Sequence, residues 1–187
     1  MGLRSWVGAQ FDAISRRYFV SNGFDGTLTS TGIAVGSYLS GVSAGATVFA
    51  VGVGAAVGLS TSGVWSVWEI ERAEKLIERQ DLERAMLVDL SETRVQAQNK
   101  RDRIKHAIMS GIGPLLGIML PISPYLFVPA VLSMLQATVL AILVGIALLF
   151  LFGAYMGSIS GQSWVVAGLR MGLAGVVVTI INVLLPG

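Results

Sequence analysis

From residue 26 to residue 68 the chain carries no Asp, Glu, Lys or Arg, and from 106 to 169 it again carries none. Between these runs lies a segment, residues 69–105, that is dense in charge and has neither Gly nor Pro. A fold surrounded by water needs charge on most exposed faces, so the two empty runs read as membrane spans of about 20 residues each. The first run predicts two helices, residues 22–39 and 44–68, joined at Ser40-Gly41-Val42-Ser43. The second predicts a span over 106–120, ended by Pro121-Ile122-Ser123-Pro124 because proline cannot continue the helical hydrogen-bond ladder. A fourth span over 127–155 and a fifth over 164–185 follow, separated by the small, polar stretch 157–161. The expected fold class is an all-α integral membrane protein with five transmembrane helices and a short helical cytoplasmic hairpin between spans two and three. Its expected organisation is an amphipathic N-terminal helix (1–21), spans one and two (22–68), the charged cytoplasmic segment (69–105) and spans three to five (106–187).

The flanking segments follow the helical period. Val7, Phe11, Ile14 and Tyr18 are spaced 4, 3 and 4 residues apart and form one apolar stripe, as on a helix lying at a membrane surface. In the charged segment Leu76, Leu82, Met86, Leu87 and Leu90 supply an apolar side, and span two is expected to run on into it as a stalk. Asp89-Leu90-Ser91-Glu92 reads as a turn or the cap of a returning helix.

Composition agrees: 53% of residues are hydrophobic and 13% are charged, about half the charged share of a soluble domain. Mean hydropathy is +0.72. The absence of cysteine excludes disulfides and thiolate metal chemistry. Charge position sets topology. Arg4, Arg16 and Arg17 precede span one, nine of the thirteen bases lie between spans two and three, and Arg170 opens span five. With five spans these regions share a side, which the positive-inside rule makes cytoplasmic; the C-terminus then lies outside the cell membrane. The bases alternate with acids, so no nucleic-acid surface is expected.

Asp25 is the most informative residue, because it adjoins the first uncharged run. A carboxylate within a bilayer costs about 2.5–3.5 kcal/mol at mid-depth and marks a functional path by default; the alternative is a helix cap at the membrane edge. Thr29, Gly32 and Gly36 follow at offsets of 4, 7 and 11, a stripe of small or hydroxyl residues that lets another helix approach closely. Asn22, an amide donor one turn earlier, joins Asp25, Thr29, Gly32 and Gly36 as the expected transport path. In the charged segment Glu71, Glu74, Glu78 and Asp81 fall on one helical stripe that can collect hard cations, or equally form ion pairs with Arg72, Lys75 and Arg79. With Asp25 these four acids are the expected metal ligands. His106, the only histidine, reads as a polar residue at the membrane edge. No nucleophile–base set or clustered ligand motif points to an enzyme.

The ordered motifs Phe24-Asp25-Gly26 before a Thr/Ser-rich helix, Leu120-Pro121-Ile122-Ser123-Pro124-Tyr125, and Leu169-Arg170-Met171-Gly172 resemble the vacuolar iron transporter family. The resemblance covers most of the chain. It implies a homodimer with an ion path between protomers, lined by span one and its aspartate. It also implies cytoplasmic acids that gather metal, and exchange of Fe²⁺ or Mn²⁺ leaving the cytosol for protons. The transported ion is the substrate, and no cofactor is expected. The family's Asn before Asp-Gly is Phe24 here, and its span-two Met and Glu are missing from Ser60-Thr61-Ser62-Gly63-Val64-Trp65. The functional expectation is therefore a divalent-cation exporter in the lipid bilayer. The rival is a non-transporting scaffold whose charged hairpin recruits a soluble partner.

Overall fold

A computed structural model describes residues 12–87 and 94–184, with side chains described from residue 100 onward in the second stretch. The apolar residues Val7 and Phe11 of the N-terminal stripe, and the Asp89–Glu92 cap, lie outside the described residues. Five long helices account for nearly all of the described chain: α1 (Ala13–Leu39), α2 (Gly45–Met86), α3 (Arg94–Ile122), α4 (Met134–Ile159) and α5 (Trp164–Leu184), with a short 3-10 helix (Ser123–Phe127) after α3. Among the described residues four stretches are long and apolar enough to cross a membrane: α2, Lys100–Phe127, α4 and α5. The Gly-, Ser- and Thr-rich α1 falls below that hydropathy.

Helix boundaries differ from the sequence expectation where local chemistry was misjudged. α1 starts at Ala13, capped by the Asp12 side chain, which accepts from the Ser15 backbone N–H at 2.7 Å. Hence the expected division at residue 21 falls inside one continuous helix. α2 runs unbroken for 42 residues, about 63 Å at 1.5 Å per residue, roughly twice the hydrocarbon thickness. The α1–α2 turn falls at the small residues, with Gly41 at a φ of 74°. α4 starts seven residues later than expected, at Met134, because Ser133 and Gln136 form a reciprocal capping box there.

Two prolines, Pro114 and Pro121, lie inside α3. Each removes an N–H and orphans the carbonyl four residues earlier, namely that of Ser110 and that of Gly117. α1 supplies both missing donors. Asn22 Nδ2 donates to the Ser110 carbonyl at 3.2 Å, and the Ser30 hydroxyl shares its one proton between the Thr27 carbonyl at 2.8 Å and the Gly117 carbonyl at 3.2 Å. The backbones can come this close because the crossing is lined with glycine. A Cβ on Gly26 would stand 2.7 Å from Pro114 Cα, and one on Gly113 would stand 2.8 Å from the Gly23 nitrogen.

The packed centre lies where α1, α2, α3 and α4 meet the 3-10 helix. It contains Ala34, Val48, Ala56, Ile118, Ile122, Tyr125, Ala137 and Ala141. Tyr125 has no exposed surface; its hydroxyl lies 2.8 Å from Thr138 Oγ1 and donates more weakly to the Ala34 carbonyl at 3.4 Å. The outward faces of α2, α4 and α5 are apolar, from Val51 and Val57 to Leu143, Leu151, Leu173 and Ile180. Such a surface suits lipid rather than water.

Candidate functional site

Asp25 is the thirteenth residue of α1, three turns beyond the true cap at Asp12, so the helix-cap alternative does not hold. Its side chain is exposed, uncovered by the rest of the protomer. Thr29 follows on the same face and turns its hydroxyl back to the Asp25 carbonyl at 2.8 Å. Gly32 looks toward Asn182 on α5, whose Oδ1 would lie 3.5 Å from an added Cβ, while Gly36 has nothing within 4 Å. Asp25, Thr29, Gly32 and Gly36 therefore share one face of α1, on which Asp25 is exposed, Thr29 and Gly32 are half-buried with Gly32 facing α5, and Gly36 has open space beside it. Asn22 does not join it. Its amide is engaged by Ser110 of α3, at both the carbonyl and the hydroxyl. The tightly packed strip of α1 is a different one, with Gly23, Gly26, Thr27 and Ser30 buried against α3.

The four acids of α2 also part company. Glu74, Glu78 and Asp81 line one shallow groove with Ile77 and Leu82. Glu78 meets Lys75 at 2.7 Å, and Asp81 meets Arg84 at 3.7 Å. The Glu78 carboxylate raises the Lys75 pKa, chiefly by accepting its hydrogen bond. Both pairs are solvated, which keeps their worth small. Glu71 is buried instead and turned toward α3. Its carboxylate Oε1 lies 3.1 Å from His106 Nδ1 and accepts from the Tyr18 hydroxyl at 3.4 Å. Glu71 thus leaves the groove and is not available to an ion collected there. Among the described residues no three carboxylate or histidine side chains converge to hold a metal ion.

The second polar group gathers where α1 begins and where α2 and α3 enter the apolar region. The other ring nitrogen of His106, Nε2, lies 3.3 Å from the Asp12 carboxylate, which also binds Lys105 Nζ at 3.1 Å. Burial alone would raise the Asp12 pKa. The Ser15 backbone N–H, the Lys105 ammonium and the charge on His106 together outweigh it and hold the carboxyl well below its usual range. The Tyr18 ring lies 6.2 Å from the imidazole, and Arg103 stacks on Trp68 with 4.1 Å between guanidinium carbon and ring centre. Spacing could not reveal this group: the partners of Asp12 are 93 and 94 residues away. The signal available was that a single histidine adjoins an uncharged run.

A profile of the VIT family matches residues 66–185, which spans α2 from before the stalk through α5. The uncharacterized protein MJ0645 of Methanocaldococcus jannaschii is 26% identical over 168 residues, 88% of this chain and 85% of its own length. The matched region takes in three of the four apolar candidate spans and the charged half of α2, while α1 and the apolar half of α2 precede it. An integral membrane fold, an uncovered carboxylate within it and a family match over more than half of the sequence agree: the chain belongs to the VIT family, whose membership points to metal-ion transport across a membrane rather than to catalysis.

Proposed function

We propose that the protein exports a divalent transition-metal ion, Fe²⁺ or Mn²⁺, from the cytosol through a path between two copies of α1, in exchange for protons. The observation that carries this reading is Asp25, mid-helix and bare on a strip of small residues. A lone carboxylate facing lipid would be costly. A second copy of the same strip covers it, and the two carboxylates then supply hard oxygen ligands to one cation at the symmetry axis. In this arrangement α1 is the fifth span, shielded from lipid by its partner, which accounts for its low hydropathy. Glu74, Glu78 and Asp81 on the projecting half of α2 concentrate cations at the cytoplasmic mouth. When the ion leaves, the two carboxylates repel, and a proton taken up between them relieves the repulsion. That proton is the return load of the exchange. Arg16, Arg17 and the charged half of α2 lie toward the end marked by Asp12 and His106, consistent with a cytoplasmic N-terminus.

The test is metal flux in proteoliposomes, with a panel of Fe²⁺, Mn²⁺, Co²⁺, Zn²⁺ and Ca²⁺ and with or without a pH gradient. Asp25→Asn is expected to lower flux of the preferred ion at least tenfold while leaving the protein folded. Undiminished flux in that variant would remove Asp25 from the mechanism. Flux indifferent to the pH gradient would remove proton exchange.

A further inference from the structure

The groove on the projecting half of α2 has a shape that ion collection does not explain. Its floor is Ile77 and Leu82, 58% and 43% exposed, and its rim is Glu74, Glu78 and Asp81. Apolar side chains on the outer faces of the spans meet lipid. These two stand among carboxylates, on a stalk that outruns the hydrocarbon layer. An apolar floor inside a polar rim is the form of an interaction surface. The rim also keeps charge in hand. Glu78 meets Lys75, but Asp81 meets Arg84 only at 3.7 Å, and among the described residues Glu74 has no ion-pair partner. The surface therefore fits a partner that is apolar and carries positive charge.

The chain itself supplies one within reach. Asp12, the cap of α1, and Glu71 of α2 touch the same imidazole, that of His106, at 3.3 and 3.1 Å. Hence α1 begins beside Glu71, one turn of α2 before Glu74. Glu74 also stands close enough to the Tyr18 hydroxyl to act on it electrostatically, so the groove opens on the α1 side of α2. The backbone at Asp12 is extended, with a ψ of 167°, so the stripe of Val7, Phe11, Ile14 and Tyr18 is cut in two and its first part takes its own direction. Residues 1–11 lie outside the described residues; they include no acid, one base, Arg4, and the apolar Leu3, Trp6, Val7 and Phe11. From Glu74 to Leu82 the groove runs about 12 Å at 1.5 Å per residue. The segment before Asp12 covers about 16 Å even when helical and about 36 Å when extended, so it reaches every part of the groove. A membrane surface suits it less, because segments that bind there carry a polar face rich in bases, and this one has a single Arg. We propose that residues 1–11 dock in the groove of the α2 stalk, with Trp6 and Val7 on Ile77 and Leu82 and with Arg4 against the acidic rim. Docked there, the segment covers acids that gather cations in the transport reading and competes with the ion for them. That consequence rests on the transport reading; the docking does not.

The chain has no cysteine, so two labels can be placed without background. Full-length protein carrying Ser5→Cys and Gln80→Cys, the latter exposed and outside the groove lining, is spin-labelled in lipid nanodiscs. The expected result is one short, narrow inter-label distance that survives dilution of the labelled chain into unlabelled protein. Ile77→Gln together with Leu82→Gln is expected to lower the ratio of docked to undocked protein about tenfold or more. Both residues are exposed, so this variant keeps its fold. Arg4→Glu, which turns attraction into repulsion, is expected to shift the ratio in the same direction. A broad distribution in the parent, or a short distance that ignores either change, overturns the proposal. A distance lost on dilution assigns the groove to a second copy and overturns it too. So does a Ser5 label that collides with oxygen dissolved in the bilayer rather than with a water-soluble relaxant, since that places the segment in lipid. None of these readouts is flux, so failure of the docking and failure of the transport reading are separable.

Discussion

Tyr125 is fully buried, and its hydroxyl joins the 3-10 helix to α4 through Thr138. Tyr125→Phe keeps the ring and leaves Thr138 Oγ1 with its bond to the Met134 carbonyl. The expected cost is about 1 kcal/mol, the net worth of one buried hydrogen bond, read as a lowered unfolding midpoint in mixed micelles. Asp12 offers a second test at this scale. Its carboxyl is held below the ordinary value of 3.8, so its stabilising contribution is complete above that value and is lost as pH falls beneath it. Asp12→Asn still caps α1 but has no carboxylate to titrate. Acid titration of unfolding should therefore be shallower in the variant than in the parent, and equal slopes would show that Asp12 contributes nothing there. At the residue scale the sequence made Asp25 conspicuous, one acid beside an uncharged run, and the structure places it mid-helix and exposed. Asn22, engaged by Ser110, and Glu71, turned to His106, have partners the sequence did not show, and His106 was placed at the membrane edge without its two carboxylate neighbours. Their partners are contributed by other helices, and periodicity says nothing about which helix lies opposite.

At the scale of elements, hydrophobic pattern located α2, α4 and α5 well, since an uncharged run of sufficient length has few alternatives to a helix in lipid. It also ended α3 at the right place, since the helix stops at Ile122 within Pro121–Pro124, but it started the helix at residue 106 where α3 begins at Arg94. The helix runs through Pro114, where Asn22 of α1 donates to the orphaned Ser110 carbonyl, a tertiary partner invisible to local sequence. The pattern also missed that two strips of glycine and hydroxyl residues on α1 have different fates: one is pressed against α3, and the other is half-covered, with Gly32 facing α5 and open space beside Gly36. Gly26→Ala places a methyl group against Pro114 Cα and should destabilise the protomer by about 1–3 kcal/mol. Gly36→Ala, with open space around it, should stay within about 0.5 kcal/mol of the parent. Equal unfolding midpoints for the two variants would mean that the α1–α3 crossing is looser than described.

For the whole molecule, family membership and the apolar exterior define a membrane protein, whereas a single protomer leaves Asp25 exposed and open space beside Gly36. Gly36→Leu separates assembly from folding. The protomer has room for the side chain, but a partner helix laid on the strip would not. The variant is expected to fold and yet to lose both self-association, measured by mass in nanodiscs or micelles, and metal flux. A fully associated Gly36→Leu protein would place the contact between copies elsewhere.

The two carbonyls orphaned by Pro114 and Pro121 have a mechanical corollary. To slide α1 along α3 would strip both of their only side-chain donors from α1 in the same movement, in a setting with no water to replace them. The two helices should therefore travel as a single rod. Any motion that shows Asp25 first to one side of the membrane and then to the other must shear that rod as a unit against α4 and α5 or against a neighbouring copy.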